Sequence, residues 1–306
     1  MAIPYDTTNA GTSVRNALRH SSINVGGSYK HIEDIQVKHS GAWRDTKEVW
    51  VKSGGSWRLV HEGEHFLFNV TLNSSGQNDW SLASYISGQG YSGSKIKGLI
   101  TLSGGITRRQ MNLGNFSSDS KVYLRINSNK RISGRGGNGG NAGQGGASNG
   151  QNGQRALYTR TPFIIDNGGI IAGGGGGGAG GRNGTITQQV QETNNCMKGS
   201  QCTNTYDVTN NTNGGGGGGG AGYPGGSNGG NGSQNGQANG GGQGGGNGGG
   251  SARSGGNGGG LGQDGSNPQN NQGGSPGSAG NAIDGWSERL SGNDSGNGDI
   301  RGNTVN

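Results

Sequence analysis

Residues 133–147 read SGRGGNGGNAGQGGA and fall into a three-residue phase. Gly134, Gly137, Gly140, Gly143 and Gly146 hold one phase, Gly136, Gly139, Ala142 and Gly145 a second, and Arg135, Asn138, Asn141 and Gln144 the third. A left-handed extended helix of the polyproline II type repeats every three residues, rises about 3.1 Å per residue and makes no internal hydrogen bonds. With this sequence it would present two faces of bare backbone and one polar edge. Buried N–H and C=O groups need partners, and neighbouring helices can supply them. The phasing therefore predicts a layered bundle of polyglycine II helices joined by polar loops.

Composition divides the chain at the same point. Of 76 glycines in 306 residues, 15 precede Ser133. Apolar residues make up 25% of the chain, too few for an ordinary core of this length. The net charge of +7 lies wholly in residues 1–133, which carry 16 Lys and Arg against 9 Asp and Glu, whereas residues 134–306 carry 8 of each. The basic residues are interspersed with acids, which favours a solvated or protein-docking face over nucleic acid. No apolar run reaches the ~18 residues of a membrane span, and MAIPYDTTNA lacks the basic-plus-apolar pattern of a signal peptide. Cys196 and Cys202 are the two cysteines. A local disulfide and a pair of free thiols both fit, and two ligands make a poor metal site.

Along the chain, Val14, Ala17 and Leu18 outline a short helix. VKHSGAWRDTKEV from Val37 and VKSGGSWRLVHEG from Val51 then repeat Val-Lys-x-Ser-Gly-x-Trp-Arg. Each copy reads as strand, Gly turn and strand, forming a small antiparallel sheet. Trp43, Trp50 and Trp57 read as core or subunit-interface residues. FLFNVTL, KIKGLITL and KVYLRI read as strands. Asp79 to Ser87 reads as a short helix capped by Asp79, with Leu82, Ala83 and Ile86 inward and Gly88 as its stop. INSNKRISG, IDNGGIIAG and, more weakly, SGNGDIRG echo one another, each with an isoleucine (Ile132, Ile171, Ile300) two residues before a glycine. That echo predicts one turn motif used repeatedly at the base of the helices.

The predicted fold class is thus a mainly β N-terminal part with one or two short helices, followed by the polyglycine II bundle. The predicted boundaries are 1–64, an attachment region; 65–132, a small β-rich domain; and 133–306, the glycine-rich bundle. Residues 182–213, rich in Gln, Asn and Thr, interrupt the glycine pattern as a β-hairpin-like excursion that the two cysteines could pin.

Catalytic constellations are not apparent. HEGEH at residues 61–65 matches H-E-x-x-H literally, but Gly63 stands between strand-like segments, where a helix is required to turn both histidines toward one metal. Gly134-x-Gly136-x-x-Gly139 matches a dinucleotide fingerprint by composition alone, with no following helix. All five histidines lie within the first 65 residues, and the carboxylates are scattered. The expectation is therefore a non-enzymatic protein with no cofactor and no bound metal.

The Trp-Arg repeats resemble modules near the N-termini of bacteriophage tail proteins. The block from FNVTL to VYLRIN is similar to a β-rich domain that precedes glycine-rich regions in phage tail tip and fibre proteins. From about Val122 onward, LRINSNKRISGRGGNGG and IIDNGGIIAGGGGGGAGG resemble the receptor-binding adhesins at the tips of T-even-type long tail fibres. That resemblance implies a virion protein at the distal tail, acting outside the host cell. Its loops would bind an outer-membrane protein or surface glycan, and its N-terminal region would dock on another tail protein. It implies no nucleic acid partner and no membrane insertion. A homotrimer is compatible with a threefold tail, although in those adhesins one chain builds the glycine lattice. Aromatic and Arg side chains dominate interface energetics, which makes Tyr158, Arg160, Arg182, Tyr206, Tyr223 and Trp286 the candidate receptor-binding residues, together with Cys196 and Cys202 in the hairpin-like loop. A structural tail tip or baseplate protein without receptor contact is the alternative. A glycan depolymerase would need paired carboxylates, and a disordered glycine linker would leave the phasing unexplained.

Overall fold

The computed structural model describes residues 22–25, 28–31, 36–45, 48–53, 55–62, 65–73, 79–103, 107–108, 110–143, 147–196, 201–230, 232, 234–237, 240–246, 249–291 and 294–306. The helix expected around Val14 lies outside them. Near the N-terminus are three antiparallel pairs: β1 (Ser22–Val25) with β2 (Ser28–His31), β3 (Gln36–His39) with β4 (Ala42–Asp45), and β5 (Glu48–Ser53) with β6 (Ser56–Glu62). The last two are the Trp-Arg repeats. Gly41 and Gly55 adopt positive φ in their turns, which a side chain disfavours.

Beyond them the chain winds through three parallel sheets, the middle passes giving one strand to each sheet and the first and last giving strands to two. β7 (Phe66–Leu72) and β8 (Trp80–Ser81) open the series, followed by α1 (Leu82–Gly88). The next pass comprises β9 (Ile96–Leu102), β10 (Thr107–Arg108) and β11 (Met111–Asn112), and the third β12 (Lys121–Ile126), β13 (Arg131–Ser133) and β14 (Leu157–Tyr158). A fourth uses β15 (Phe163–Asn167), β16 (Ile170–Ala172) and, after the hairpin strands β17 (Gly184–Asn195) and β18 (Gln201–Thr212), β19 (Ile283–Asp284). The last pass ends in β20 (Asp299–Arg301) and β21 (Thr304–Val305). The sheet orders β15-β12-β9-β7, β10-β13-β16-β20 and β21-β19-β14-β11-β8 define a solenoid.

Its inward side chains stack in register. Val70, Ile100, Leu124 and Ile165 form one row, and Phe68, Gly98, Val122 and Phe163 the next. Gly98 makes room for Phe68: a methyl group there would overlap the phenyl ring. The three echoed motifs are three neighbouring strands, with Ile132 opposite Ile171 and Ile171 opposite Ile300. Ile132 and Ile171 are buried, and Ile300, on the edge strand, is exposed. The helix α1 is capped by Ser81, whose Oγ accepts from the Ser84 amide at 3.3 Å, and not by Asp79. Leu82 and Ile86 are buried and Ala83 faces out.

The predicted fold class is therefore corrected. The protein is β-rich, with one α-helix among the described residues, several sheets, and strands recurring as far as Val305; it shows no polyglycine II bundle following a separate β part. The physical reason lies in the apolar residues scattered through the glycine-rich half. Ile164, Ile165, Ile171 and Ile283 are short strand segments that find partners far away in sequence, and parallel sheets buried on both faces take such non-local pairs.

Two compact units result. One comprises Met1–Ser133, Ala156–Ala172 and Ala282–Asn306, and the other Gly134–Arg155 and Gly173–Asn281. The second unit is thus made of two insertions, both between the second-sheet and third-sheet strands of a pass. Apart from its hairpin, a short 3-10 turn at Gln269–Asn271 and isolated bridges, its described residues are mainly extended glycine-rich segments. Residues 173–181 run through the middle of a backbone network. Gly174 and Gly177 donate to Gln154 and Gln151, Gly175 and Gly178 to Ala221 and Gly218, and Gly176 and Ala179 to Gln263 and Ser266, all at 2.7–3.1 Å. Their carbonyls accept in turn, for example from Gly280, Gly137 and Gly259. Polar third-phase residues stitch the segments laterally: Asn138 Oδ1 accepts from the Ser227 amide at 2.9 Å and its hydroxyl at 3.0 Å, and Asn152 Oδ1 from the Ser278 amide at 2.9 Å.

On the outer face of the first sheet, Leu67, Leu99, Tyr123 and Ile164 form a second buried cluster with Leu290 against it. Burial pushes the Tyr123 phenol up to about 12 from the ordinary 10.0. Below pH 10 the phenol is neutral folded or unfolded and contributes no pH dependence. Between about pH 10 and 12 the unfolded chain alone releases the proton, so stability falls as pH rises, by on the order of 2 kcal/mol. Tyr123→Phe is expected to remove that part of the alkaline loss, read as a smaller drop in melting temperature between pH 9 and 11.5.

Candidate functional site

The longest strands of the second unit form the largely exposed hairpin of β17 and β18. It pairs without a bulge from Gly184–Thr212 at its base to Asn195–Gln201 near its tip. Its base is tied down: the Thr185 amide donates to Ser251 Oγ at 2.8 Å, and Thr212 Oγ1 to the Gly249 carbonyl at 3.0 Å. At the tip Cys196 and Cys202 form a disulfide. An isolated two-stranded hairpin is marginal in water, and closing so short a loop contributes about 2 kcal/mol on the chain-entropy account.

Strand alternation sorts the hairpin into two faces. One carries Thr187 opposite Thr209, Gln189 opposite Asp207, Gln191 opposite Thr205 and Thr193 opposite Thr203, with the two hydroxyls of the Thr187–Thr209 pair 3.1 Å apart. The other carries every larger apolar side chain: Ile186, Val190, Tyr206 and Val208, interleaved with Gln188, Glu192, Asn194 and Asn204. Val190 lies directly opposite Tyr206, and both are exposed, at 36% and 41%. A hydrogen bond to the Glu192 carboxylate raises the Tyr206 phenol above its ordinary range.

The other residues singled out from sequence fall elsewhere. Tyr158, Arg160 and Trp286 belong to the first unit. Arg160 lies over the Tyr158 ring at 4.7 Å, pairs with Asp284 at 2.8 Å, and donates to the Thr159 carbonyl at 2.8 Å. The Asp284 hydrogen bond holds the Arg160 guanidinium above its ordinary range. Trp286 packs against the solenoid core, with Arg289 stacked on it at 4.1 Å and paired to Asp294 at 3.1 Å. Arg182 is exposed beside the base of the hairpin, its amide bonded to the Gln272 carbonyl at 3.1 Å. Tyr223 is half-buried, its amide bonded to the Gly134 carbonyl at 3.1 Å. In the N-terminal hairpins Trp43 is 66% exposed, with Lys38 Nζ 6.0 Å from its ring; Trp50 is half-buried, and Trp57 stands opposite Lys52.

The structure thus brings Cys196, Cys202 and Tyr206 together on the hairpin, and Tyr158 and Arg160 together on the solenoid, with Trp286 two residues past their partner Asp284. Val190 and Glu192 were not among the residues singled out. The Cys196–Cys202 pair, used as a register mark, would have placed Val190 opposite Val208, two residues out of the observed register.

Residues 67–305 match the family model of the phage tail fibre adhesin Gp38. The match spans most of the chain, including the solenoid, both insertions and the hairpin, and the protein belongs to this family of bacteriophage tail fibre adhesins. No curated protein and no solved structure matches it.

Proposed function

We propose that this adhesin recognises a receptor on the bacterial surface through segments of its second unit, the hairpin of β17 and β18 foremost, from the distal end of the tail. The exposed hairpin carries this reading: a polar, disulfide-closed projection whose base is bonded into a backbone network. The supporting physics is display. Hydrogen bonds between main chains, indifferent to side chains, hold the network, so projecting segments can vary in sequence without disturbing it. Ordering the projection in advance also reduces the entropy lost on binding. The N-terminal hairpins, with Trp43 exposed, serve as the docking region for another tail protein.

Purified full-length protein, added to host cells before phage, is expected to reduce adsorption at least tenfold. Unchanged adsorption at saturating protein, with the protein still required for assembly of infectious particles, would contradict the reading and favour a structural tail component.

A further inference from the structure

We propose that the Tyr206 face of the hairpin is a binding site for a surface polysaccharide, a proposal that rests on the adhesin reading above and names its ligand class. Sugar rings present an apolar C–H face and a rim of hydroxyls. Recognition calls for an exposed aromatic ring flanked by carboxylate and amide groups that can pair with neighbouring hydroxyls. Tyr206 is the exposed aromatic of this face, with Val190 across the ladder extending its apolar surface. Glu192, exposed on the same face beside Tyr206, adds a carboxylate that can accept from ligand hydroxyls. Gln188, Asn194 and Asn204 stand exposed on the same face and add amide donors and acceptors on both sides of the ring.

Dimensions point the same way. Two strands of twelve residues make a strip about 40 Å long and roughly 10 Å wide. Such a face offers on the order of 400 Å², half of the ~800 Å² that each partner of a stable protein–protein interface typically buries. A linear polymer of hydroxyl-bearing rings matches a long, narrow strip. Residues 182–213 hold Arg182, Glu192, Lys198 and Asp207 as their charged side chains, which balance in sign. Among the described residues of this face Glu192 is the charged one, which suits a neutral glycan better than a polyanion.

The test uses the full-length protein immobilised on a sensor, with lipopolysaccharide extracted from a strain that adsorbs the phage as the probe. Wild-type protein is expected to bind. Tyr206→Phe, which keeps the ring, should bind within threefold of wild type, and Tyr206→Ser should lose at least tenfold. In both variants a non-reducing peptide map should still show the Cys196–Cys202 bridge, so that loss of binding is not loss of the hairpin. Absence of lipopolysaccharide binding by wild type, or equal binding by Tyr206→Ser, would overturn the proposal. If wild-type protein blocks adsorption and only an outer-membrane protein fraction free of lipopolysaccharide relieves the block, the glycan assignment falls and the adhesin reading stands. If the protein does not block adsorption at all, the adhesin reading itself fails.

Discussion

Gly177→Ala is expected to destabilise the second unit by about 3 kcal/mol or more. Its added methyl would overlap the carbonyl of Asn138, a main-chain group that cannot swing aside as a side chain would. The Gly177 amide donates to the Gln151 carbonyl at 2.8 Å, and its own carbonyl accepts from the Gly277 amide at 2.8 Å, so residue 177 is fixed from two other directions as well. Gly246→Ala is the matched control. Gly246 is exposed and a methyl there meets nothing within 4 Å, so the change should stay within about 0.5 kcal/mol. Chemical denaturation of the two variants, followed by a probe in the second unit, checks the contrast. Similar midpoints would mean that the glycine segments are not packed as described.

Excising most of the hairpin carries the second large effect, this time on function. Thr185 and Asn211 are cross-strand neighbours, so an Asn-Gly turn can replace residues 186–210 and leave the base intact. The Thr185–Ser251 and Thr212–Gly249 hydrogen bonds are then retained. The shortened protein is expected to lose its capacity to block phage adsorption, by at least fiftyfold in the concentration required, while the stability of the second unit changes by less than about 1 kcal/mol. Blocking at the wild-type concentration would place receptor contact outside the hairpin.

Local features were legible in the sequence where the physics is local. The Val-Lys-x-Ser-Gly-x-Trp-Arg repeats fold as two hairpins, because a Gly turn between alternating strands is decided within a few residues. The excursion at residues 182–213 is a hairpin, legible as a polar break in the glycine pattern, and its cysteines are bridged. The solenoid was not legible. Its sheets join Phe66 to Ile96, Val122 to Phe163 and Ile171 to Ile300, and no window of sequence displays such pairings. The repeated isoleucine motif was visible, yet it read as a turn beneath a helical bundle when it is a strand used three times in one parallel sheet. The cap of α1 moved from Asp79 to Ser81 because Trp80 and Ser81 pair with Met111 and Asn112, which delays the helix start. Around Arg160 the decisive partner, Asp284, lies 124 residues away and on the far side of an insertion, so the ion pair has no sequence signature.

What the glycine phasing did contain was an accounting problem, in that several dozen bare peptide groups need partners. The structure solves it with bonds among extended segments around residues 173–181, with Asn138, Asn141 and Asn152 accepting from neighbouring amides at the polar edge. The hairpin's distal part, by contrast, rests on one ladder and one disulfide.

Residue-resolved amide hydrogen exchange on the full-length protein tests this division of labour most directly. Gly137, Gly140 and the amides of residues 174–181 should exchange only through global opening of the second unit, whereas the tip of the hairpin should exchange several orders of magnitude faster. Fast, uniform exchange across the glycine segments would contradict a hydrogen-bonded frame and, with it, the account of how this adhesin holds its recognition hairpin.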